Sequence, residues 1–205
     1  VYLHIVALHK VGSNNPEGIE IKDTKDDKGV PLDGIPFHPF YTSKDMVGVG
    51  VFLMVFFFVV FFMPEMGGYF LEHANFEAAN PMVTPEHIAP VWYMTPFYAI
   101  LRAIPNKLAG VIAMGASIAV LFVIPWLDKS PVKSMRYRGV FSKLALAIFT
   151  ICFFMLGYLG TVAVSPVKQI LAQLGTFIYF AFFILMPVYT YFETCKTVPK
   201  RINGK

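Results

Sequence analysis

The opening stretch VYLHIVALHK carries two histidines, His4 and His9, five residues apart. It reads as the last turns of an apolar helix. An imidazole in such a segment must be paired, ligated or facing a wet cavity, because hydrocarbon offers it no partner. His4 therefore suits either an interhelical hydrogen bond or ligation of a metal, haem iron included. His9 points to a different side of the helix and fits an interfacial position. Lys44 and Asp45 stand side by side ahead of a second apolar run. They suit helix capping and headgroup anchoring, and a carboxylate and an imidazole at one membrane depth can also deliver protons to the two carbonyls of a quinone. A third stretch, APVWYMTPFY at 89–98, sets Pro90 and Pro96 around Trp92 and Tyr93. An aromatic belt at a membrane interface accounts for the aromatics. It does not account for the two prolines, which fix the backbone as the wall of a pocket requires.

The elements that hold these residues are written in the hydropathy. The 205 residues are 56% hydrophobic and only 15% charged, with a mean hydropathy of +0.59. Uncharged or nearly uncharged runs at 46–63, 108–127, 144–164 and 170–192 reach or approach the ~20 residues that cross ~30 Å of hydrocarbon. The expected fold is an all-α integral membrane protein with four transmembrane helices, preceded by the C-terminal end of another helix. Of the 17 Lys and Arg, all but Arg102, Lys107 and Lys168 fall before the first span, between spans two and three, or in the tail. The positive-inside tendency then places both ends and the 128–143 link on the cytoplasmic side, and the 64–107 link outside. The net charge of +4 is topological and calls for no nucleic acid.

Between the spans the punctuation is clear. Gly12, with Pro16 beyond it, marks a helix stop. The charged stretch EIKDTKDDKGVPLDG at 20–34 reads as a solvated, mobile loop. Thr42 followed by Asp45 predicts a capping-box-like start to the first span. Thr84-Pro85-Glu86 resembles an N-cap with proline at the first helical position. Cys152 lies mid-span and Cys195 in the tail, which argues against a disulfide between them. No C-x-x-C-H occurs, so covalently attached haem is not expected. No repeat and no secretory signal pattern is present, and the opening valine suggests a chain that begins inside a longer protein.

Several motifs agree in order and spacing with one family. LHIVALHKVGSNNPEG, IPFHPFYTSKD and TPEHIAPVWYMTPFYAILRAIPNKLAG, followed by the spans in this order, resemble the C-terminal half of bacterial-type cytochrome b. That family forms the membrane core of quinol–cytochrome c oxidoreductase, complex III. The resemblance covers nearly the whole chain apart from 20–34. It implies an end of a haem-bearing helix at 1–12, a cytoplasmic loop at 13–44, and a C-terminal membrane domain at 45–205. His4 matches an axial ligand of the b haem nearer the cytoplasmic face, one of two haems in the intact subunit, and Asn14 lies where a propionate contact is expected. His9, Ser13, Phe37, Lys44 and Asp45 match the quinone-reduction site. Pro90, Val91, Trp92 and Tyr93 match the quinol-oxidation loop, with Tyr98 a further pocket tyrosine. Catalytic roles would fall on Asp45, His9 and Tyr98.

One position departs from the family. Val91 stands where a glutamate is usual, and valine accepts no proton, so Glu86, His87, Tyr93 or a group elsewhere must serve. The implied partners are an iron–sulfur (Rieske) subunit, a cytochrome c1 subunit, quinone and the lipid bilayer of a bacterial inner membrane, in a homodimeric complex. A naturally split form is a close rival, disfavoured by the fourth span and by His4. A non-redox transporter subunit would need polar groups inside several spans, where the sequence has almost none.

Overall fold

The computed structural model describes residues 1–68, 71, 76–83 and 88–202. Its helices are α1 (Tyr2–Val11), α2 (Phe40–Phe62), α3 (Thr95–Ala103), α4 (Lys107–Leu127), α5 (Val140–Thr161), α6 (Pro166–Ile184) and α7 (Met186–Tyr191). Short 3-10 turns form at Ile21–Asp23, Met66–Gly68 and Trp92–Met94. No strand occurs among the described residues, where the β-type pairing is an isolated bridge between Lys25 and Pro31. Four helices, α2, α4, α5 and α6, are long and apolar enough to cross a membrane. The all-helical, four-span expectation is met.

The helix ends differ from those expected, for local reasons. The first span begins at Phe40, six residues before the apolar run, so Lys44 and Asp45 lie inside α2. Its N-cap is Pro39, with no side-chain cap, and the capping box expected from Thr42 and Asp45 does not form. Proline donates no N–H and presets φ for a helix entry. The turn is closed instead by Tyr41 N–H to the Phe37 carbonyl at 2.7 Å and Ser43 N–H to that of Pro39 at 3.0 Å. Thr42 Oγ1 is taken by His38 Nδ1 at 3.3 Å. At the other end of the chain, the expected 170–192 span is two helices. Pro187 has no N–H for the carbonyl four residues back, and the helix breaks at Leu185 before resuming as α7. The Thr84–Glu86 cap lies outside the described residues.

The chain divides into two compact units. One comprises residues 36–127 and 146–185. Within it α3 packs on α4 and α6, burying Thr95, Pro96, Ala99, Ile100 and Ala103. Their spacing of three and four residues gives a helix one apolar face. Cys152, Leu156 and Leu159 from α5 and Ala172, Tyr179 and Phe183 from α6 complete the core. Phe149 stacks on Phe182 at 4.3 Å between ring centroids. Polar groups join the helices where no water can serve them: the Tyr179 hydroxyl donates to the Ser117 carbonyl at 2.8 Å, and the Cys152 thiol to that of Gly175 at 3.1 Å. Both cysteines are free. In contrast, α2 buries no residue.

The other unit comprises residues 1–35, 128–145 and 186–205. Here α1 stops at Gly12, as expected, where φ is +88°, a value that glycine adopts without Cβ strain. Gly12 N–H bonds the Leu8 carbonyl at 2.7 Å, and Lys22 Nζ reaches back to the Lys10 carbonyl at 3.0 Å. Segment 20–34 is more structured than its composition implies. Asp26 accepts from Lys28 N–H at 2.9 Å and Val30 N–H at 2.7 Å, which closes a turn by the Asx mechanism. Asp33 receives Arg201 at 3.0 Å, and Glu17 pairs with Arg136. Glu193, 8% exposed, accepts from the hydroxyls of Ser130 and Ser142, each at 2.6 Å, and from Gly139 N–H at 3.1 Å. Burial alone would raise its pKa. The hydrogen bonds from Ser130, Ser142 and Gly139, with the nearby Arg138 charge, outweigh burial and hold the carboxyl below its ordinary value.

Candidate functional site

The 89–98 segment is built as the two prolines suggest. Val91, with φ −53° and ψ 146°, is the N-cap of the single 3-10 turn Trp92–Met94, and its carbonyl accepts Met94 N–H at 2.8 Å. Trp92 and Tyr93 meet edge to face, their rings 5.6 Å apart at 88°, and both stay more than half exposed. Thr95 is 3% exposed and donates its hydroxyl to the Trp92 carbonyl at 2.6 Å. Thr95 also opens α3, with Pro96 its second residue. The turn is fastened to α5: a Cβ on Gly160 would overlap the Thr95 backbone, so this close approach needs glycine. The result is an aromatic turn whose backbone is fixed and whose rings face outward.

One turn into α3, half-buried Tyr98 lies under the Arg102 guanidinium, 4.7 Å from its ring centroid. Arg102 donates to the Leu159 and Val162 carbonyls at 2.5 and 3.2 Å, at the end of α5. Gln169 of α6 donates in turn to the Arg102 and Ala103 carbonyls at 3.1 and 2.8 Å, and Gln173 to Ala103 at 3.1 Å. These are the carbonyls a helix end leaves unsatisfied. Sequence reasoning passed over this network. The available signal was Gln169 and Gln173, one helical turn apart at the start of a largely apolar helix. A cleft of about 10 Å³ borders Arg102, Lys168 and Gln169, which is room for one water at most.

Residues 78–180, half of the chain and including this segment, match the family described as Cytochrome b(C-terminal)/b6/petD. The chain belongs to the cytochrome b C-terminal family. It is 56% identical over 213 residues to cytochrome b of Allochromatium vinosum, covering all of this chain and 51% of that protein. It is 48% identical over 205 residues to cytochrome b of Rhodospirillum rubrum, covering 48% of it. A solved hyperthermophilic respiratory complex III superposes with a TM-score of 0.81 at 38% identity, over 93% of this chain and 46% of that one. The chain thus spans about half the length of the curated relatives it matches, and the family expected from the sequence motifs is the one found.

The other residues singled out in the sequence fall in both units. His4, His9, Ser13 and Asn14 lie in one, on α1 and just beyond it, and all are exposed. Phe37, Lys44 and Asp45 lie in the other, also exposed, with Phe37 stacked on Tyr41 at 6.0 Å and Lys44 Nζ 5.5 Å from the Tyr41 ring. Asn14 Oδ1 accepts Asn15 N–H at 2.9 Å. Around His4 the helix presents Tyr2, Leu3, Ile5, Val6 and Leu8, each more than 40% exposed, and among the described residues no protein partner reaches the imidazole. Among those residues no three His, Cys, Asp or Glu cluster as metal ligands, so His4 offers one donor rather than a cage. Glu86 and His87, which the sequence offered as alternatives to a loop glutamate, lie outside the described residues.

Proposed function

We propose that this chain is the C-terminal half of the cytochrome b subunit of a proton-translocating quinol–cytochrome c oxidoreductase, complex III. The carrying observation is the fixed turn at 90–93, fastened through Thr95 to Gly160, within the region matched to the cytochrome b family. A quinol ring placed against Pro90, Trp92, Tyr93 and Tyr98 meets a wall that does not reorganise, and a fixed donor geometry favours electron transfer from one pose. Val91 can shape that wall but cannot take the proton. Tyr93, Glu86, His87 or a group in the other half of the subunit accepts it.

At the inner, quinone-reducing site, His9 and Asp45 supply protons, Lys44 contributes positive charge, and Ser13 and Phe37 flank the ring. His4 fits a haem ligand: it is an imidazole without a protein partner among the described residues, and one of its ring nitrogens would coordinate the iron of a b haem. Asn14 would serve a propionate, as the family resemblance implies. A b haem bound there supplies one-electron transfer between the two quinone sites. In this reading α2, α4, α5 and α6 span a bacterial inner membrane, with both ends of the segment cytoplasmic. The Rieske and cytochrome c1 subunits would accompany it in a homodimer. The test is the visible spectrum of the purified full-length complex, with quinol as reductant and cytochrome c as acceptor. A b-type band reduced by quinol is expected, and a complex without one would refute the proposal.

A further inference from the structure

We propose that Arg102 is the positioning residue for Tyr98, holding its ring in the quinol-oxidation pocket; this rests on the reading of Tyr98 as a pocket residue. The guanidinium carbon lies 4.7 Å from the Tyr98 ring centroid, one helical turn along α3. Its NH2 group is committed to the Leu159 and Val162 carbonyls. Those carbonyls lie at the negative end of the α5 dipole, where a cation is favoured. The plane of the guanidinium is thereby set by a different helix from the one that carries it. Its Nε finds no acceptor, so no other in-plane bond competes for its orientation.

The peptide that carries Arg102 is fixed as well. Gln169 holds the Arg102 carbonyl, and Gln169 and Gln173 together hold that of Ala103. Both ends of the arginine are therefore anchored, the backbone by α6 and the head group by the end of α5. The head group so held lies over the Tyr98 ring. Arginine is specifically suited to this role, since its planar fork can bond two carbonyls in-plane while stacking its face on an aromatic. A lysine ammonium could reach the carbonyls but presents no plane to the ring. Tyr98 is only half-buried, so the arginine covers part of the ring and the rest stays available to a ligand.

The experiment measures quinol-dependent cytochrome c reduction by the full-length assembled complex, with KM for a short-chain quinol and kcat resolved separately. Arg102→Met, Arg102→Lys, Tyr98→Leu and the Arg102→Met/Tyr98→Leu double variant are compared. Loss of the stacked cation should raise KM by about two- to fivefold, with kcat changed less. The double variant should be no worse than Tyr98→Leu alone, because the arginine acts through that ring. Arg102→Lys should also raise KM while preserving assembly, and it stands in if Arg102→Met does not assemble. An unchanged KM in the Arg102 variants, with Tyr98→Leu impaired, overturns the positioning role and leaves the pocket intact. Effects that multiply in the double variant overturn it too, as does failure of both Arg102 variants to assemble, which would mark a structural role. An unchanged KM in Tyr98→Leu removes the pocket reading itself, and the proposal with it.

Discussion

Val91 sits at the N-cap of the Trp92–Met94 turn with half of its surface exposed. A longer side chain there can project outward without displacing the backbone, whose φ and ψ are open to any L-residue. Val91→Glu should accordingly assemble and change quinol oxidation by less than about tenfold (~1.4 kcal/mol of barrier). Steady-state rates across pH provide the check: a wild type without quinol oxidation, rescued a hundredfold by the glutamate, would mean no substitute acceptor exists. Asp45 is exposed inside the first turns of α2, and Asp45→Asn keeps its shape but not its proton. Reoxidation of the cytoplasmic-side haem by quinone should slow while haem content holds, as stopped-flow spectra would record. The break in the chain at 90–96 was legible from its two prolines, between which the Trp92–Met94 turn forms. Arg102 was not: a lone cation after an aromatic run looks the same whether it meets solvent, lipid or a tyrosine face. Glu193 was hidden likewise, because only the fold brings Ser130, Ser142 and Gly139 to its carboxylate.

At the level of helices, two glycines of α5 face the start of α3 with unequal clearance. A Cβ on Gly157 would lie 3.6 Å from Pro96 and 3.7 Å from Thr95 Oγ1, ordinary contact, whereas on Gly160 it would run into the Thr95 backbone. Gly157→Ala should be tolerated and even gain helix propensity. Gly160→Leu must push α5 from α3, at a cost of about 1–3 kcal/mol, and should lower both the thermal inactivation midpoint and outer-site turnover. Equal midpoints for the two variants would contradict the packing described. Hydropathy made the spans legible because each carries a long apolar run with few charges. Their ends were less so. Pro39 and Pro187 decide where α2 starts and α6 stops, and neither is apparent to a count of apolar residues. The 20–34 turn escaped for a related reason: composition registers its charges but not the Asx geometry of Asp26.

For the molecule as a whole, four helices long and apolar enough to cross a membrane, with 14 of the 17 Lys and Arg in three segments, fit an integral membrane protein, and the matched family model places the chain among the C-terminal parts of cytochrome b. The two bear on each other at α1. Neither imidazole of α1, His4 nor His9, has a hydrogen-bond partner among the described residues; of the two, His4 lies deeper in the apolar stretch, where an imidazole is costly against lipid alone and would be served by haem iron. Sequence made His4 conspicuous for that reason, while the resemblance to cytochrome b implied that it is a ligand of haem iron. The direct measurement is a redox titration of b-haem absorbance in the purified full-length complex, wild type beside His4→Ala. Two b-haem components are expected in the wild type and only one in the variant, with the cytoplasmic-side component lost. Two components of undiminished amplitude in His4→Ala would contradict the role given to this histidine and to the helix that carries it.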